Sequence, residues 1–115
     1  LLRELEITPQ GAAFFIIRKE LWDRYGLQDG DLEGLVNIPL SIGKVRLSAS
    51  LRESPDGIYR VSLRSKKGVS ANRIAREWFH GGGHEQASGG KLLIGQDVPS
   101  RGDFAAYVRK ALCNL

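Results

Sequence analysis

Methionine is absent from this 115-residue chain, which opens on Leu1-Leu2. Initiator methionine is trimmed efficiently only before small residues, so Leu1 is not a natural start, and the chain is expected to be a piece of a longer protein. Cysteine occurs once, as Cys113. That excludes an internal disulfide and agrees with a reducing cytoplasm. No apolar run is long enough to cross a bilayer, and no basic-plus-apolar leader is present, so no membrane partner is expected. Neither sign of charge dominates: 17 Lys and Arg against 13 Asp and Glu leave +4. That surplus permits a phosphate-bearing ligand without demanding one. Metal ligands are sparse too. His80 and His84 stand at i, i+4, but three glycines between them argue against a shared helical face, and no Cys or carboxylate cluster adds ligands. A nucleophilic serine constellation and a paired-carboxylate arrangement are likewise missing.

What is present suits one soluble domain over residues 1–115, with 42% apolar and 26% charged residues. Leu1 to Ile7 reads as a strand end, followed by the turn Thr8-Pro9-Gln10-Gly11. Ala12 to Ile17 is short, continuous and rich in Phe and Ile, as in a strand buried on both faces. Glu20 to Tyr25 reads as a helical turn closed by Gly26, and a polar loop from Asp29 to Gly34 leads to a segment ended by Pro39. From Lys44 to Glu53 the residues alternate. Val45, Leu47, Ala49 and Leu51 take one face; Lys44, Arg46, Ser48, Ser50 and Arg52 take the other. Alternation resumes with Tyr59, Val61 and Leu63 inward, and Arg60, Ser62 and Arg64 outward. Ser54-Pro55-Asp56-Gly57 suits a bulged hairpin that would set inward residues against inward residues. Ser70 to Phe79 is the strongest helix, N-capped by Ser70, with Ala71, Ile74, Ala75, Trp78 and Phe79 on one stripe. Trp78 is therefore a core anchor rather than a base-stacking platform. Gly81 would end the helix in the left-handed conformation. Lys91 to Ile94 reads as a short strand and Ser100 to Leu112 as a closing helix, with Ser100 and Asp103 spaced like a capping box. The fold class expected is α+β, a mixed sheet packed with helices.

Two features bear on chemistry. Arg46, Arg52, Arg60 and Arg64 share the outward hairpin face with serines. Such a face is either a solvated surface or an electropositive floor for phosphate. The segment His80 to Gly90 carries five glycines, which reads either as a flexible connector or as an anion site. In the second case the backbone N–H groups of Gly81, Gly82 and Gly83 would converge on a phosphate, with a short helix from His84 to Ser88 behind them. His84 at the lip would donate a hydrogen bond.

Val61-Ser62-Leu63-Arg64-Ser65, the helix after Ser70, and Gly81-Gly82-Gly83-His84-Glu85-Gln86-Ala87-Ser88-Gly89-Gly90 together resemble the domain that follows the catalytic domain in DHH-family phosphoesterases. Asp31-x-Glu33-Gly34 and Leu51-Arg52-Glu53 extend the likeness, which covers roughly Gly30 to Ile94. The pattern is most similar to the oligoribonuclease and 3′-phosphoadenosine 5′-phosphate phosphatase branch; RecJ-type exonucleases, exopolyphosphatase-like members and cyclic-dinucleotide phosphodiesterases share the loop. The resemblance implies a substrate-binding domain. Arg64 and Ser65 would hold a nucleotide phosphate, Gly81, Gly82 and Gly83 would let it approach, and His84 would contact the phosphate being cleaved or its neighbour. Arg52 is a weaker candidate on the same face. It also implies manganese in an N-terminal catalytic domain of the same chain, with none bound by this segment, which carries no Asp-His-His motif and is not expected to act alone. The partners implied are short RNA or nucleotide phosphates, and a homodimer is compatible with this reading. The rival is a non-catalytic nucleic-acid-binding module, such as the tRNA-binding domain appended to alanyl-tRNA synthetases. The role of His80 is not assigned.

Overall fold

The computed structural model describes residues 6–24, 26, 34, 36–54, 56, 58–99 and 103–113. Its strands are β1 (Glu6–Ile7), β2 (Ala12–Ile17), β3 (Leu47–Glu53), β4 (Ile58–Ser65), β5 (Gly82–Gly83) and β6 (Ala87–Leu93). They form one sheet in the order β1-β2-β3-β4-β6-β5. The β2–β3 pair is parallel and the other pairs are antiparallel, so the sheet is mixed. Helices α1 (Lys19–Arg24), α2 (Ala71–Trp78) and α3 (Phe104–Ala111) and a short 3-10 turn accompany the sheet, and the α+β expectation holds. No helix among the described residues is long and apolar enough to cross a membrane.

Alternation decides the two faces. In the β3–β4 hairpin, Ala49 lies opposite Leu63 and Leu51 opposite Val61, so inward residues meet inward residues as the pattern requires. The expected turn falls partly on Pro55 and Gly57, outside the described residues. Leu47, Ala49, Leu51, Tyr59, Val61 and Leu63 join Ala12 and Phe14 of β2 in the main core, against Ala71, Ile74 and Ala75 of α2 and Phe104, Val108 and Ala111 of α3. Tyr59 stacks on Phe104 with ring centroids 3.8 Å apart. Its hydroxyl donates to Glu53 Oε2 at 3.0 Å, which satisfies a phenol buried among apolar groups.

The opposite face departs from expectation. Parallel pairing of β2 with β3 demands a crossover, and this one carries α1 and a 3-10 turn at Ile38–Ser41 that contacts β3. Ala13, Phe15 and Ile17 of β2 are buried outside the main cluster, with Val36 of the crossover. The burial of β2 on both faces is thus confirmed. Ser48 and Ser50, which alternation places outward, are fully buried there, because the crossover lies over a face that an isolated hairpin would leave wet.

Two local expectations fail for identifiable reasons. Helix α2 starts as predicted, with Ser70 Oγ accepting the Arg73 N–H at 3.1 Å. Its end, however, is turned by His80, whose φ is +53°, and not by Gly81. Gly81 is required for close approach, since a Cβ there would collide with the Gly89 carbonyl. The short helix expected at His84 to Ser88 is instead a tight reversal. His84 N–H donates to Ala87 O at 2.9 Å, and Ala87 N–H donates back to His84 O at 3.3 Å, which zips Gly82–Gly83 onto β6. Strand β6 consequently begins at Ala87, earlier than the apolar residues alone indicate. The closing helix is shorter than its pattern; Asp103 is its N-cap and makes no side-chain capping bond, while Ser100 lies outside the described residues.

Candidate functional site

Strand register places the candidate residues in rows across the second face. Ser48 pairs with Arg64, and Arg64 with Ala87, whose other neighbour is His84. Two residues along, Ser50 pairs with Ser62, Ser62 with Gly89, and Gly89 with Gly82. Two further on, Arg52 pairs with Arg60 and Arg60 with Lys91. Residues paired across a sheet point to one side, so each row lies on a single face. The middle row has no side chain larger than serine from β3 outwards. It runs between one row holding Arg64 and His84 and another holding Arg52, Arg60 and Lys91; Ser62 and Gly89 are half-buried members of it, while Ser50 is covered by the crossover. No carboxylate occupies any of these positions.

Arg64 and His84 flank Ala87. Two strand spacings separate their backbones, about 10 Å, which leaves room for an anion above the small Ala87 side chain. Arg64 is half-buried and its Nη1 donates to the Leu63 carbonyl at 2.9 Å, which draws part of the guanidinium back along its own strand. His84 is exposed.

Ser65 is placed differently. It lies opposite Leu47, on the core side, and is 6% exposed. Its hydroxyl donates to Val69 O at 2.7 Å, and its N–H donates to Gln86 O at 3.0 Å. Gln86 Nε2 reaches the Ser65 carbonyl at 3.5 Å, and Ala71 N–H meets Glu85 O at 2.8 Å. Ser65 thereby ties the end of β4 to the reversal that carries His84, and so fixes where His84 stands relative to Arg64.

The glycines likewise act on the scaffold. Gly81 N–H donates to Ala75 O at 3.0 Å and Gly83 N–H to Asn72 Oδ1 at 3.1 Å. With His84 N–H also engaged, the expected nest of converging N–H groups backed by a helix is not formed. Gly83 has φ of +153°, and a Cβ there would stand 2.9 Å from Ala87 O. These residues let two chain segments lie flat on each other.

Arg52 stands in the outer row with its guanidinium 3.7 Å above the centre of the Trp22 ring. Trp22 escaped the sequence reading. It sits in the short helix α1, and only the crossover brings it onto β3. Among the described residues no three His, Cys, Asp or Glu side chains cluster as a metal-binding set.

Known proteins match this chain over most of its length. The family model of the DHHA1 domain matches residues 11–101. A probable bifunctional oligoribonuclease and PAP phosphatase of Streptococcus mutans is 40% identical over 85 residues, 74% of this chain and 27% of that protein. The bifunctional oligoribonuclease and PAP phosphatase of Bacillus subtilis is 32% identical over 92 residues, 80% of this chain and 28% of that protein. The chain thus spans little more than a quarter of the length of these relatives. The crystal structure of an exopolyphosphatase-related protein from Bacteroides fragilis matches with a TM-score of 0.83 at 34% identity, over 96% of this chain and 31% of that one.

Proposed function

The chain belongs to the DHHA1 domain family, and on that premise we propose that it is the substrate-recognition domain of a phosphoesterase acting on short oligoribonucleotides or phosphorylated nucleotides. The observation that carries this reading is the row Arg64–Ala87–His84, which sets two cationic or proton-donating side chains on either side of a small residue on one sheet face. An Arg fork and an imidazole N–H both suit phosphate oxygens. Beside that row, the small and half-buried Ser62 and Gly89 leave the rest of a nucleotide space to lie against the sheet. The relatives' names, which pair oligoribonuclease with PAP phosphatase activity, supply the substrate class.

In this proposal the hydrolytic step belongs to a catalytic domain of the same protein, where the family's manganese ions would activate water. The described residues supply no such ligand set. Their part is to bind and orient. Arg64 and His84 hold phosphate, Ser65 and Gln86 fix the reversal, and Gly81 and Gly90 let α2 and β6 approach closely enough to support it.

Calorimetric titration with 3′-phosphoadenosine 5′-phosphate and with a two-nucleotide RNA tests the assignment. Lacking the facing half of the site, the chain is expected to bind at about millimolar strength, roughly 4 kcal/mol. Arg64→Ala and His84→Ala should abolish that binding while leaving the fold intact. Uptake of longer structured RNA with no response to either small ligand would favour a nucleic-acid-binding module instead. Binding insensitive to both substitutions would place the phosphate elsewhere.

A further inference from the structure

On the core face of the sheet, β2 and α3 border a cavity of about 210 Å³. Its floor is apolar, made by Phe14 and Ile16 of β2 and Ala105 of α3. Phe14 pairs with Ala49 and Ala49 with Leu63, so this floor and Arg64, the next residue along β4, face opposite sides of the sheet. Charged side chains complete the lining. Arg109 meets both oxygens of the Glu6 carboxylate, so the one acid in the cavity is already matched. Arg18 is the other cation, and it is half-buried. Its Nη1 donates to the Tyr59 hydroxyl at 3.1 Å. That hydroxyl donates in turn to Glu53 Oε2 at 3.0 Å, and Glu53 Oε1 accepts the Lys19 N–H at 3.0 Å. Tyr59 and Glu53 are 0% and 6% exposed, so a buried polar chain anchors the guanidinium from behind. A guanidinium has five N–H donors. Arg18 makes no second hydrogen bond and no ion pair among the described residues.

We propose that this cavity binds a small monocarboxylate with a short apolar body, aliphatic or aromatic, whose carboxylate takes the open N–H groups of Arg18. The site is separate from the Arg64–His84 pair and does not depend on the function proposed above. A planar carboxylate matches the guanidinium fork, and holding Arg18 on Tyr59 lowers the rotamer entropy that binding would otherwise cost. The body would lie on Phe14, Ile16 and Ala105, where it removes apolar surface from water. The cavity is smaller than the roughly 300–1,000 Å³ of sites for drug-sized ligands, which sets the scale of the ligand. Inorganic phosphate is a poorer match. Its remaining oxygens would face Phe14 and Ile16, which offer no side-chain donor.

The wild type, Arg18→Gln and Ala105→Leu are titrated with sodium benzoate, benzyl alcohol and inorganic phosphate. Binding is followed by two-dimensional amide NMR, and thermal melts verify each fold. Benzoate is expected to saturate the wild type at about millimolar strength. The largest shifts should fall at Phe14, Ile16, Arg18 and Ala105, with none at Arg64 or His84. Arg18→Gln keeps a donor for Tyr59 and should weaken benzoate at least about tenfold. Ala105→Leu fills the floor without altering a charge and should weaken it as much. Each variant acts for a different reason, so either one decides the matter if the other fails to fold. Benzyl alcohol, with the same ring and no charge, should bind at least about tenfold more weakly than benzoate. Benzoate that does not saturate by about 50 mM, or that shifts other residues, overturns the site. Alcohol binding as tightly as benzoate, or benzoate binding unchanged in Arg18→Gln, overturns the carboxylate assignment. Phosphate matching benzoate in affinity and in shifts would mark a bare anion contact at Arg18 and overturn the role of the apolar floor.

Discussion

His80 Nε2 lies 2.5 Å from Asp97 Oδ1, and the other oxygen of that carboxylate accepts the Leu93 N–H at 2.9 Å. One carboxylate therefore clasps the end of α2 to the end of β6. This gives His80 a scaffold role and explains its backbone: the left-handed φ of +53° aims the ring at Asp97, which is almost fully buried. The α2 end is further held by Tyr107, whose hydroxyl donates to Trp78 O at 2.7 Å.

The clasp and the backbone strain separate by mutation. His80→Ala loses the Asp97 contact and keeps a Cβ in a left-handed position. His80→Gly loses the contact but relieves the strain. The glycine variant should therefore unfold at higher urea concentration than the alanine variant, by about 1 kcal/mol. Equal stabilities would mean that φ at this position is not held left-handed.

The pair Glu6–Arg109 ties β1 to α3, with Arg109 Nη2 2.8 Å from Glu6 Oε1. The Arg109 hydrogen bond, aided by its charge and opposed by burial, holds the Glu6 carboxyl below its ordinary 4.5. A carboxyl depressed in the folded state stabilises above its unfolded pKa and loses that contribution as pH falls through the folded value. Glu6→Gln should therefore melt below the wild type at about pH 7, and the gap should close by about pH 3. The effect should be small and shrink in salt, since both side chains are substantially exposed. A gap that persists in acid would argue against the ion pair as its source.

Ser50 Oγ is fully buried and has no hydrogen-bond partner among the described residues. An unsatisfied buried hydroxyl costs about 1–3 kcal/mol. Ser50→Ala is thus expected to match or exceed the wild type in chemical denaturation. A marked loss of stability would show that the hydroxyl bonds to water or ligand in solution.

Gly81 and Gly90 should tolerate substitution worst. A Cβ on Gly90 would stand 2.7 Å from Phe79 Cβ and collide with the Phe79 carbonyl, while one on Gly43 meets nothing within 4 Å. Gly90→Ala should cost about 3 kcal/mol or more, and Gly43→Ala close to nothing. Similar melting temperatures for the two would contradict the close packing of α2 on β6.

Much of this protein is legible in one dimension. The hairpin faces, the doubly buried Ala12–Ile17 strand, the Ser70 cap and the α2 stripe follow from period-2 and period-3.6 patterning, because each depends on neighbours a few residues away. Arg64 and His84 stand out for the same reason: one sits on an alternating face, the other beside a glycine run. What only the tertiary structure decided depends on contacts between distant segments. The crossover buries Ser48 and Ser50 and brings Trp22 to Arg52; the cross-strand register puts Arg64 and His84 on either side of Ala87; and the packing of α2 on β6 turns a presumed anion nest into a reversal whose N–H groups are already engaged. Local periodicity fixes which way a side chain points along its own strand. Which strand lies beside it, and what covers it, is set by the global arrangement that buries the most apolar surface while leaving few backbone groups unpaired.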